Sequence, residues 1–283
     1  MAFNRGEIPP VVTGLCDDAA VFPPGLAPLP EAVRAYRNRR GTWYEDFVGP
    51  LVLAADALPS LMPLLAGHAL PVSVTLPQGP SGLRQVFEDV AGTPVELRSV
   101  EVAVPAGMAP AEFADALEGV EGVDVYVEVP RDDRRAAVLD VIAGRWRAKF
   151  RTGGVRADLY PSEPELATAL AAVVAARVPF KATAGLHHAL RNTDPATGFE
   201  QHGFLNVLLA TDALLSGGSE QSARALLAER DGRTVAGLVR GLDGERARQV
   251  RLAFTSFGTC SITDPLTKLI DLGVVSAPDL VKE

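Results

Sequence analysis

Eight short β-branched runs, each separated from the next by an alanine- and leucine-rich amphipathic stretch, restrict the folds open to this chain. The runs cover 11–16, 50–55, 71–76, 95–104, 123–129, 147–152, 179–184 and 252–257. Helical patterns cover 30–38, 58–66, 82–90, 111–117, 134–142, 163–176 and 204–215, with two more near 220–229 and 234–240. Pro161-Ser162-Glu163 and Ala109-Pro110-Ala111-Glu112 read as helix starts. Strand–helix alternation implies parallel strands joined by crossover helices. Eight repeats in 283 residues predict one domain over 1–283, a closed (β/α)8 barrel with extra C-terminal helices. A doubly wound open sheet is the alternative. It usually carries a glycine-rich turn after its first strand, and no G-x-G-x-x-G occurs there.

Within the runs, polar and apolar residues alternate with a period of two. Val123, Val125, Val127 and Val129 interleave with Asp124, Tyr126 and Glu128. Ala148 and Phe150 interleave with Arg147, Lys149 and Arg151, and Phe180 and Ala182 with Lys181 and Thr183. Val72, Val74 and Leu76 interleave with Ser73 and Thr75. A period of two puts each polar set on one strand face. If helices cover the apolar face, Glu128, Tyr126, Lys149, Arg151, Lys181 and Thr183 line the lumen, and Glu101 joins them. Barrel interiors are ordinarily filled with branched apolar residues. Charges there are costly unless paired, so this set suggests a site. A half-exposed antiparallel sheet would also alternate, but the intervening helices argue against it.

Lysine is rare. Of 27 cationic residues only Lys149, Lys181, Lys268 and Lys282 are lysine, and the rest are arginine. Lysine alone of the two can lose its proton and act as a nucleophile or base. Lys149 lies in Ala148-Lys149-Phe150-Arg151-Thr152-Gly153-Gly154, and Lys181 in Phe180-Lys181-Ala182-Thr183-Ala184-Gly185. Two neighbouring ammonium groups depress each other's pKa, which would leave one amine neutral. The plainer reading is a structural Glu128–Lys149 ion pair with Lys181 bonded to backbone.

Three of the four histidines, His187, His188 and His202, fall within sixteen residues after the seventh run. In a barrel that is the catalytic rim, and proton transfer is the expected role. Asn206 follows closely. No H-x-x-x-H or H-E-x-x-H spacing supports a metal site, and no cofactor is expected. Asp17 and Asp18 follow the first run. Adjacent side chains diverge, so at most one enters the site; Asp18 is taken as a substrate contact, with a loop-bracing role equally open. Gly258, Thr259 and Ser261 precede a short helix and could cradle a phosphate, or simply cap that helix. Gly153-Gly154 reads as a second anion contact or a tight turn.

Composition excludes several classes. At 47% hydrophobic and 22% charged the chain is globular. Its net charge of −8, with no long basic run, argues against nucleic acid and anionic membrane as partners. Apolar runs are too short to span a bilayer. Two cysteines cannot build a disulfide framework, which suits a reduced cytoplasmic setting. The Ala-, Arg-, Gly- and Pro-rich usage points to a GC-rich bacterial genome. Self-association into a homo-oligomer is left open.

The segments Asp17-Asp18-Ala19-Ala20-Val21-Phe22-Pro23-Pro24, Lys149-Phe150-Arg151-Thr152-Gly153-Gly154, Phe180-Lys181-Ala182-Thr183-Ala184-Gly185-Leu186-His187-His188 and His202-Gly203-Phe204-Leu205-Asn206 resemble a family of uncharacterised bacterial proteins over most of the chain. That likeness implies no activity. Locally, Phe180–Gly185 is similar to the Schiff-base strand of deoxyribose-phosphate aldolase, which implies Lys181 as the imine-forming residue. The resulting expectation is an aldolase-type lyase acting on a small anionic carbonyl metabolite. Lys181 would be the nucleophile, Lys149 and Glu128 would tune it, Arg151 would hold the anion and a histidine would move protons. The alternatives are a barrel phosphoribosyltransferase or sugar-phosphate isomerase, a metal-dependent proton-abstraction enzyme using Glu101 and Glu128, and a non-catalytic ligand-binding or scaffold barrel.

Overall fold

The computed structural model describes residues 6–278; Lys282 lies outside them. Among the described residues there are ten strands: β1 Cys16–Asp18, β2 Val48–Ala54, β3 Leu70–Leu76, β4 Val95–Ala103, β5 Asp124–Glu128, β6 Arg147–Arg151, β7 Phe180–Thr183, β8 Asn192–Thr193, β9 Glu200–Gln201 and β10 Phe254–Thr259. The helices of the first part are α1 Leu29–Asn38, α2 Leu58–Leu65, α3 Leu83–Val90, α4 Pro110–Ala116, α5 Arg135–Ile142 and α6 Glu163–Ala175. Those of the second are α7 Phe204–Leu215, α8 Glu220–Ala228, α9 Gly232–Arg240, α10 Gly244–Ala253 and α11 Thr263–Asp271.

Eight strands close into a parallel barrel in the order β1-β10-β7-β6-β5-β4-β3-β2. The (β/α)8 expectation holds. β8 and β9 form a small antiparallel hairpin above it; two residues per strand carry too little pattern to be read from sequence. No helix among the described residues is long and apolar enough to cross a membrane.

The strand faces divide as their alternation predicts. Val125, Val127, Ala148, Phe180 and Ala182 are buried against the helical layer. There Phe180 stacks on Phe254 with ring centroids 5.1 Å apart, and Phe257 stacks on Phe204 of α7 at 4.6 Å. Strand β6 pairs with β7 so that Lys149 lies beside Lys181, and β5 pairs with β6 so that Glu128 lies beside Lys149. The polar residues therefore meet on one level of the lumen.

Both ends of the strand series differ from the expected bounds. Residues 11–14 form turns in which Val12 N–H donates to Pro9 C=O at 2.9 Å and Leu15 N–H to Val12 C=O at 3.2 Å. These local bonds replace ladder bonds, so the first strand begins only at Cys16. At the other end Leu252 belongs to α10, whose start is capped by the Asp243 carboxylate accepting Arg246 N–H at 2.9 Å. The last strand is displaced accordingly to Phe254–Thr259.

Candidate active site at the carboxyl end of the barrel

A cavity of about 570 Å³ opens at the carboxyl ends of the strands, the face on which barrels of this type carry chemistry. Its floor is a chain of alternating charges. Lys181 Nζ donates to Asp17 Oδ2 at 2.5 Å and to Glu101 Oε1 at 2.6 Å. Lys149 Nζ meets the other Glu101 oxygen at 2.9 Å and Glu128 Oε2 at 3.1 Å. Glu128 in turn accepts from Arg151 Nε at 3.3 Å. Serine hydroxyls complete the coordination: Ser256 donates to Asp17 at 2.8 Å, and Ser73, itself 2.6 Å from Ser99, donates to Glu101 at 2.9 Å. Both lysines thus enter one enclosed lumen and share a single carboxylate.

Local backbone makes room for this. A Cβ at Gly49 would come within 2.1 Å of Asp17 Oδ1, so only glycine on β2 lets that carboxylate fit. At the rim the loops after β6 and β7 touch through glycine. A Cβ at Gly153 would stand 2.8 Å from Gly185 Cα and 2.7 Å from the Tyr160 ring, and Gly185 has φ +74°. Gly153 thus sits in a close-packed turn, and Gly154 beside it lines the cavity.

The protonation pattern follows from the pairing. Burial works against each charge. For Lys181 the facing Asp17 and Glu101 outweigh it and raise the pKa well above the ordinary lysine value. For Glu101 burial is outweighed by Lys149 and Lys181, which hold it far below the carboxylate range. Lys149 and Arg151 likewise overcome burial and lower Glu128. At Asp17 burial wins and pushes the carboxyl up, so Glu101 is the firmer counter-charge. This overturns one sequence argument. Lys181 is not depressed into neutrality by the amine beside it, because Asp17 and Glu101 outweigh burial, and it is held as an ammonium.

Other expected residues divide clearly. Thr183, His187, Gly258 and Thr259 line the cavity with Glu101, Glu128, Lys149, Arg151 and Lys181. His187 Nδ1 lies 3.1 Å from Thr259 Oγ1 and 3.8 Å from Cys260 Sγ, and burial, then neighbouring His188, lowers its pKa. It is a neutral imidazole able to accept a proton.

Several residues are structural instead. His202 is fully buried off the cavity, its Nε2 bonded to Pro161 C=O at 2.8 Å, and burial lowers its pKa to about 4. His188 does not line the cavity; its carbonyl accepts Phe204 N–H at 3.1 Å at the start of α7. Asn206 spends its amide on the carbonyls of Leu226 and Glu229 and its oxygen on Arg191 N–H. Asp18 is buried against Arg39 and accepts Ala20 N–H at 3.1 Å, the loop-bracing role. Tyr126 lies off the cavity, its hydroxyl 3.0 Å from Thr255 Oγ1 and its ring 5.2 Å from Lys181 Nζ. Ser261 accepts Asp264 N–H at 3.2 Å at the start of α11, and its own N–H faces Thr259 Oγ1. Ser261 thus takes the helix-cap alternative, while Gly258 and Thr259 line the cavity.

Three kinds of residue in or beneath the cavity carry no clear signal in the sequence. Asp17 was undistinguished from Asp18, because a three-residue strand shows no period. The serines behind the floor carry no charge signal. Phe22, Leu159, Tyr160 and Phe199 line the mouth from loops without periodicity. For a metal, Glu101 and Glu128 are already engaged by ammonium groups, and among the described residues no group of three His, Cys, Asp or Glu side chains could hold an ion. Comparison with protein-family models, curated proteins and solved structures finds no match to this chain.

Proposed function

We propose that this barrel is an aldolase-type lyase that works through an imine on Lys149. The observation that carries the reading is Glu101, one buried carboxylate shared by two lysines from adjacent strands beneath an open cavity. Lys181, with its short contacts to Asp17 and Glu101, is the fixed cation. Lys149 is the looser amine: Glu101 is divided with Lys181 and Glu128 with Arg151. The roles expected from the local aldolase likeness are therefore exchanged between the two lysines.

The chemistry balances with the groups present. Lys149 passes its proton to Glu128 and attacks the carbonyl; Glu128 returns that proton to the carbinolamine hydroxyl, which leaves as water and gives an iminium. A base, Glu128 or His187, takes the proton of the β-hydroxyl. The Cα–Cβ bond then breaks, and its electron pair enters the iminium to give an enamine. Protonation and hydrolysis release the second product and restore the amine. A phosphate-gripping isomerase or transferase is less well supported, because the Thr259–Ser261 loop is spent on its own cap.

Borohydride trapping tests this. The protein is treated with phenylacetaldehyde, glycolaldehyde or pyruvate plus borohydride and its peptides are weighed. A reduced adduct on Lys149, lost in Lys149→Arg, is expected, since arginine keeps the charge but cannot form an imine. An adduct on Lys181 returns the nucleophile to that residue. No adduct on either lysine with any probe removes the lyase reading and leaves a binding barrel.

A further inference from the structure

The geometry points to a substrate with a bulky apolar body and at most one anionic group, not a phosphorylated sugar or another small polyanion. This inference rests on the lyase reading for its carbonyl. Three observations carry the rest.

The first is volume. About 570 Å³ is the size of pockets that enclose drug-sized ligands. A three-carbon aldehyde would fill only a small part of it.

The second is the charge of the walls. The cationic side chains lining the cavity are Lys149, Arg151 and Lys181; the carboxylates lining it are Glu101, Glu128 and Asp194. They cancel, and His187 is neutral. A phosphate dianion meets no net positive field, and both lysines are already committed to carboxylates. Arg151 alone presents unengaged donors: only its Nε is bonded, to Glu128, and its side chain is 41% exposed. It can meet one carboxylate.

The third is the mouth. Above the charged floor the walls are Phe22, Leu159, Tyr160 and Phe199, with Val155 beside them at 74% exposure. Tyr160 and Phe199 face each other at 5.6 Å between ring centroids. Half-exposed aromatic groups gathered around one opening mark a ligand surface. A carbonyl compound with its reactive end on the floor would lay an aromatic or branched body against this collar. The expected small anionic metabolite is thereby replaced by a larger, amphipathic one.

Calorimetric binding of 4-phenyl-2-oxobutanoate and of glyceraldehyde 3-phosphate to the full chain tests the inference. The phenyl compound is expected to bind about tenfold or more tightly. Phe199→Ser should weaken it by a similar factor while leaving the phosphorylated probe unchanged. Val155→Asp, at an exposed position that folding does not need, should weaken it in the same direction and guards against an unfolded Phe199 variant. Equal or tighter binding of the phosphorylated probe, or indifference to both variants, overturns the inference. The lyase reading fails separately: preferential binding of the phenyl probe with no borohydride adduct removes the imine chemistry but keeps the apolar preference, whereas an adduct formed best with the phosphorylated aldehyde does the reverse.

Discussion

Lys181 and Arg191 are both buried cations held between two carboxylates, yet only Lys181 lines the cavity. Lys181 is bound by Asp17 and Glu101, and its network continues through Lys149 to a cavity. Arg191 uses one nitrogen, Nη2, for Glu163 at 2.8 Å and Glu200 at 3.1 Å. Its Nε and Nη1 have no partner, and neither do Gln201 Oε1 and His202 Nδ1 nearby in the chain. That cluster ties the β8–β9 hairpin to the start of α6; Gln201 touches the cavity, but Arg191 and its partners Glu163 and Glu200 do not line it. A buried charge is therefore not a mark of chemistry by itself. Its continuity with an accessible space is.

The largest expected effect distinguishes how the two clusters hold together. Glu101→Gln removes the carboxylate that both lysines share and should cost about 3–5 kcal/mol in urea unfolding. Glu163→Gln leaves Arg191 its second partner and should cost only about 1 kcal/mol. Equal losses would erase the contrast.

Next comes acid sensitivity, which should arise in the Arg191 region. His202 has a folded pKa of about 4 against an ordinary value of 6.5. Its stabilisation is complete above about pH 6.5, where both states are neutral. As the pH falls below that, the unfolded state takes up a proton first and stability declines, by about 3 kcal/mol in all by pH 4. In His202→Gln the slope of unfolding free energy over that window should flatten, whatever the variant's absolute stability. The lowered carboxyls Glu101 and Glu128 lose their contribution only at more acid pH, so an unchanged slope would refute the assignment. The smallest effect serves as the control. Arg156→Ala, which breaks an exposed pair with Asp158, should leave the urea midpoint where it is.

The barrel and its charged floor were legible because both depend on period. A strand buried on two faces must alternate if one face is charged, so Glu128, Lys149 and Lys181 declared their direction, and Glu101 followed less cleanly. Protonation was not legible. It depends on how many carboxylates meet the lysines, and Asp17 could not be assigned from a strand of three residues. His202 and Asn206 misled for a related reason. They crowd a glycine-rich segment near His187, but α7 begins at Phe204 and carries Asn206 into the helical layer. Nearness along the chain says nothing about which side of a loop faces inward. The aromatic collar was invisible because irregular loops have no face to predict.

Strand β1 has only three residues, and its Asp17 reaches Lys181 on β7 and Ser256 on β10. The seam that joins the start of the barrel to its end is thus sewn with the same carboxylate that anchors the fixed cation. Half-barrel fragments would separate Asp17 from Lys181 and Ser256 however well they folded, so these contacts can form only once the barrel closes.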